Sequence, residues 1–174
     1  NQLLSSNQSY TFKVLSDRTL VPKYRNYSSW TVNISANPTQ IKTAGGSSAI
    51  TASAVRNVYS NGELQGTATG TVSLSSDNPA FVITGTTVRV SENTTTSTRS
   101  AIITASCGGV TNSVTLTQPG RKETYVFTIN GGTSVTSLFE SKGGTAQYTI
   151  VSQKTIVIDG NSTTVQANWS SSWN

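Results

Sequence analysis

The chain has 174 residues, 12 lysines and arginines against 7 aspartates and glutamates, a net charge of +5, no histidine and one cysteine. Serine, threonine and asparagine total 70 residues, about 40% of the sequence, and charged residues only 11%, against roughly 25% in ordinary soluble domains. These counts exclude Ser-His-Asp and Cys-His catalysis, histidine or cysteine-cluster metal sites, and an intrachain disulfide.

Strand signals follow one another along the chain. Apolar and polar residues alternate in Tyr10–Val14, Trp30–Ser35, Thr71–Leu74, Phe81–Ile83, Thr87–Val90, Ala101–Ala105, Ser113–Thr117, Tyr125–Ile129, Gln147–Val151 and Thr164–Ala167. Each run is rich in β-branched or aromatic residues. Turn chemistry separates them: Ala44-Gly45-Gly46, Asn61-Gly62, Asp77-Asn78-Pro79, Cys107-Gly108-Gly109, Asn130-Gly131-Gly132, Lys142-Gly143-Gly144 and Asp159-Gly160-Asn161. No window carries a 3.6-residue apolar stripe. Short strands about ten residues apart predict an all-β protein, an Ig-like antiparallel β-sandwich.

An internal echo divides the chain. Thr43-Ala44-Gly45-Gly46 through Thr51 is repeated, 98 residues later, by Ser141-Lys142-Gly143-Gly144 through Thr149. That spacing suits tandem sandwich modules. The expected organisation is a lead-in over residues 1–28, a module over 29–118, a linker over 119–122, and an incomplete second module over 123–174. About 50 residues are roughly half of what a sandwich needs. The second module is therefore either the start of a longer array or completed by strands from residues 1–28. An unpaired edge there is expected to recruit a strand from a neighbouring module or another surface protein.

Residues 87–118 have a recognisable order: a strand ending in Ser91-Glu92-Asn93, a threonine-rich turn, Arg99-Ser100-Ala101-Ile102-Ile103, a Gly-Gly hairpin, and a last strand ending in Thr117-Gln118. This resembles the C-terminal half of BACON-type and related Ig-like modules, found in Bacteroidota surface proteins and in their phages. Ser75–Phe81 falls where those modules have a polar turn before an apolar residue, with Phe81 in place of a frequent tryptophan. The resemblance implies an extracellular, cell-surface or virion setting. In the hairpin, Gly108-Gly109 supplies the positive φ of a tight turn. Ile102, Val114 and Leu116 are expected to point inward, Arg99 to meet carbonyls or Glu92, and Cys107 to be a small inert residue.

The aromatics are the binding candidates. Tyr24, Tyr27 and Trp30 are spaced by three, and Trp169 and Trp173 bracket three serines. Flat rings suit the apolar face of a sugar, with amides such as Asn168 supplying hydrogen bonds. Tyr24, Tyr27, Trp169, Trp173 and Asn168 are the candidate glycan contacts, and Trp30 is expected in the core. The seven acids suggest no carboxylate pair of the glycosidase kind, so no enzyme, metal or cofactor is expected. The scattered basic residues argue against nucleic acid, and no apolar run approaches the ~20 residues of a membrane span. An adhesive or carbohydrate-binding module, a structural spacer, and a phage virion or decoration protein remain as functions.

Overall fold

Alternating polarity becomes twelve antiparallel strands, with no helix among the described residues, in a computed structural model that describes residues 25–134 and 142–170. The strand expected at Tyr10–Val14 lies outside them. One sheet holds β1 (Arg25–Tyr27), β2 (Thr31–Asn37), β3 (Gly46–Ser60), β4 (Glu63–Gly70), β6 (Phe81–Thr84) and β7 (Thr87–Val90). A second holds β5 (Ser73–Ser76), β8 (Arg99–Cys107) and β9 (Val110–Gln118). These two face each other as a β-sandwich. A third sheet is built from β10 (Lys122–Ile129), β11 (Ile150–Ile158) and β12 (Asn161–Gln166). The connection into β10 is shorter by one residue than the sequence suggested, because β10 starts at Lys122.

Strand β3 organises the first sheet. Its start pairs with β7 (Gly46 with Val90), its middle with β2 (Ala52 with Ile34), and its far half with β4 (Arg56 with Ala68). The last three residues also take β1, with Tyr27 opposite Val58. The lead-in strand at 25–27 thus extends the first sheet and does not complete the sheet of β10–β12. Beyond the sandwich body, β1, β3 and β4 continue as a ribbon.

Between the two sheets lie Ile41, Ile50, Phe81, Val88, Val90, Ala101, Ile103 and Leu116, all buried. Burial of each large side chain contributes about 1.5–3 kcal/mol. Phe81 is 1% exposed, so the residue at the frequent tryptophan position is core. The polar turn before it is a cap. Asn78 Oδ1 accepts from the Ala80 amide, its Nδ2 donates to the Ser100 carbonyl, and Asp77 Oδ1 accepts from the Ile102 amide.

Parity in β8 corrects one expectation. Ala101, Ile103, Ala105 and Cys107 face inward, and Ile102 is 46% exposed. Cross-strand partners share a face: Ile103 pairs with Val114 and Ala101 with Leu116, whereas Ile102 pairs with Thr115 on the outside. Trp30 packs against the core, as expected, but only at its edge. It precedes β2 and is half-buried, closing the end of a smaller cluster of Val32, Ala54, Ala105 and Cys107. Its indole lies against Gly70 and Gly108, where a Cβ would overlap it. The Gly108-Gly109 turn has φ of 56° and 81°.

Two buried amides tie the other end together. Gln118, 0% exposed, donates from Nε2 to the carbonyls of Lys42, Thr43 and Ser91, while its Oε1 accepts from Arg99 Nε. Arg99 Nη2 donates to the Ser91 and Glu92 carbonyls, so it meets backbone and not the Glu92 carboxylate. Asn93 donates from Nδ2 to the Ser97 and Pro119 carbonyls, and its Oδ1 accepts from the Thr95 amide and hydroxyl.

The internal echo extends to architecture. The β3–β4 hairpin turns at Asn61-Gly62 (φ 54° and 81°), and the β11–β12 hairpin turns 98 residues later at Asp159-Gly160 (φ 48° and 88°). In both, an earlier strand pairs with the long strand on its other side, β1 and β2 in one case and β10 in the other. The third sheet therefore repeats the β1–β3–β4 part of the first.

Candidate functional site

Two aromatic clusters form, one on each repeat. The first is on the ribbon. Tyr27 on β1 and Arg56 on β3 share a face, since Tyr27 pairs with Val58, two residues from Arg56. The Arg56 guanidinium lies 4.0 Å from the centre of the Tyr27 ring and 4.5 Å from the Trp30 ring, held between two π faces. Such contacts contribute about 0.5–1 kcal/mol at exposed sites and more when desolvated. Arg56 Nε is buried without a hydrogen-bond partner among the described residues.

The second cluster is on the third sheet. Tyr125 and Phe127 alternate outward along one face of β10, opposite Lys154 and Ser152 of β11. Trp169, 45% exposed, follows β12 and tilts toward Phe127 with 6.5 Å between ring centres. The Ala167 amide donates to the Ser152 carbonyl and anchors that end of the chain. A groove of about 540 Å³ runs between Tyr125, Phe127, Lys154, Gln166, Asn168 and Trp169.

Charge in this cluster is paired. Glu123 receives Arg121 Nε at 2.7 Å, Lys154 Nζ at 2.8 Å and the Tyr125 hydroxyl at 2.9 Å. The hydrogen bond from Lys154, then that from Tyr125, holds the Glu123 carboxyl at about 2, and the same contact raises Lys154. Lys154 also lies 5.5 Å from the Tyr125 ring centre.

The repeats meet through a third carboxylate. Asp159, at the β11–β12 turn, accepts the Thr43 and Ala44 amides, one on each oxygen, both at 2.9 Å. These bonds lower its carboxyl below the ordinary value, the Ala44 bond most.

The three sequence candidates among the described residues fall on two different sheets. Tyr24 and Trp173 lie outside the described residues. Tyr27 sits on the ribbon, whereas Asn168 and Trp169 line the groove of the third sheet, both exposed. Sequence reading missed Arg56, Lys154, Tyr125 and Phe127. A signal for three of them is the same 98-residue offset: Tyr27 and Arg56 recur as Tyr125 and Lys154.

Comparison with known proteins gives one match. Residues 64–119 match the BACON family model, described as “Putative binding domain, N-terminal”. No curated protein and no solved structure matches the chain. The matched residues run from β4 through β9 and include Phe81, Asn93, Arg99 and Gln118, the core and the polar latch. Its all-β sandwich and this match together identify a BACON-type module within the chain, at residues 64–119.

Proposed function

We propose that the chain is a non-enzymatic saccharide-binding module of an extracellular, cell-surface or virion-surface protein, acting in adhesion. The observation that carries this reading is the groove on the third sheet. Trp169 stands half-exposed beside Phe127, with the amides of Asn168 and Gln166 along the same wall. An aromatic platform with adjacent amides is what a pyranose ring needs: an apolar face for stacking and donors for its hydroxyls. A glycan-array screen, followed by titration of the hits against Trp169→Ala and Asn168→Ala, tests it. Saturable binding lost in Trp169→Ala with unchanged thermal unfolding supports the reading. No saturable binding to any glycan overturns it.

A second reading is favoured by the repeat. Tyr125, Phe127, Lys154 and Ile156 occupy the face that Ala52, Ala54 and Arg56 occupy on β3, and Ala54 is buried against β8 in the first repeat. On that reading the third sheet presents a core face to strands of a neighbouring module, and the chain is a structural spacer or virion component. Burial of Trp169 on adding a neighbouring module, seen as a blue shift of its fluorescence, is the outcome that favours it.

A further inference from the structure

The two repeats carry the same aromatic–cation pair, but among the described residues only the second pairs its cation with an acid. Tyr125 and Lys154 stand 98 positions after Tyr27 and Arg56, and in both repeats the cation lies over the tyrosine ring. In the second repeat Glu123 completes the set, bound by Lys154, Arg121 and the Tyr125 hydroxyl. The residue 98 positions before Glu123 is Arg25. Strand parity puts Arg25 on the same face as Tyr27, and Arg56 on that face of β3. Arg25 lies opposite Ser60, four residues along β3 from Arg56, whereas Glu123 lies opposite Ile156, two residues from Lys154, so the ribbon face carries a second cation farther out and no carboxylate at the level of Glu123.

We propose that the Tyr27–Trp30–Arg56 cluster, with Arg25 farther along the same face, is a binding site for an anionic saccharide whose carboxylate pairs with Arg56 as Glu123 pairs with Lys154 in the second repeat. Three features argue for an external anion. Arg56 Nε is buried without a partner among the described residues. The guanidinium makes no ion pair with a described residue, and its terminal Nη groups, outside the buried Nε, can give a carboxylate short, charge-assisted bonds. The register brings Glu63 to this face at the ribbon tip, opposite Ser60, and it makes no ion pair with a described residue. The two rings hold the guanidinium plane, which pre-orients its fork and lowers the entropy lost on binding. Tyr27, 47% exposed, keeps surface for a sugar ring beside the bound acid.

The need for an anion stands on the cluster alone; the choice of a saccharide as its carrier rests on the function proposed above. The test is isothermal titration of the whole chain with trigalacturonate at low ionic strength, beside its methyl ester and sodium sulfate. The expected result is saturable binding of trigalacturonate that falls at least about tenfold with the neutral ester and in Arg56→Gln, and is partly kept in Arg56→Lys. A response lost in Trp169→Ala but kept in Arg56→Gln assigns the binding to the groove on the third sheet and overturns the proposal. Sulfate binding equal to that of trigalacturonate means that the site takes any anion and overturns the saccharide part alone. No saturable heat with any of the three at millimolar concentration overturns the proposal, as does equal binding of acid and ester. The ester comparison holds even if Arg56→Gln fails to fold.

Discussion

Single residues decide how the ends of this sandwich hold. Gln118 is the clearest case, since one fully buried amide satisfies three carbonyls and orients Arg99. Gln118→Ala strands those carbonyls and leaves a cavity, at a cost of about 2–4 kcal/mol. Urea unfolding followed by far-UV circular dichroism measures it, and a change below about 0.5 kcal/mol would show that water replaces the amide without loss. Gly108 is the second case. Its φ is positive, and a Cβ there overlaps the Trp30 indole. Gly108→Ala therefore combines backbone strain with overpacking, about 2–4 kcal/mol in the same assay. An unchanged midpoint would mean that Trp30 swings away freely.

At the scale of elements, most strands were legible, but β1, β3 and β4 were not, and strand length was not. Parity within Phe81–Ile83, Thr87–Val90 and Ser113–Thr117 is strict, and each run falls within a strand. The long β3 escaped, because in Thr51-Ala52-Ser53-Ala54 the inward residues are alanines, whose weak apolar signal hides the alternation. Ile102 misled for the opposite reason. In Ala101-Ile102-Ile103 the larger residue outweighs the small one that β8 buries. The aromatic clusters were half legible: tyrosines and tryptophans stand out in sequence, but the cations that meet them come from β3 and β11, far along the chain.

Ionisation adds a prediction at the same scale. The Glu123 carboxyl lies at about 2 in the fold, below its ordinary 4.5. A depressed folded value means that its stabilising contribution is complete above about pH 4.5 and is lost as pH falls toward 2. Lys154 is raised above 10.5, so its share is complete below that value and is lost as pH rises through the folded one. The third sheet should thus be firmest between about pH 5 and pH 10 and loosen on either side. Backbone NMR signals of Tyr125 and Lys154 should shift between pH 5 and pH 2 in the wild type but not in Glu123→Gln. Equal shifts in both would assign the change elsewhere.

For the whole molecule, the Asp159 contact sets how the repeats sit together. It joins the β11–β12 turn to the Thr43-Ala44 turn across more than a hundred residues of chain, beside a connection of only three residues, Pro119-Gly120-Arg121. An amide has one acceptor oxygen in place of two, so Asp159→Asn keeps at most one of these bonds. Small-angle X-ray scattering should then show a broader distance distribution with the melting of the first sandwich unchanged. A distribution identical to wild type would place the rigidity in the connection instead.

Cys107 turns the sandwich into its own clock. It is the only thiol in the chain, 9% exposed, at the end of β8 next to Trp30. A disulfide reagent reaches its sulfur only when that end opens, so the labelling rate counts openings. If the rate follows denaturant as steeply as global unfolding does, Trp30 leaves only when the whole sandwich comes apart. A shallow dependence means that the tryptophan end breathes alone, and a saccharide bound beside Arg56 should then slow the reaction.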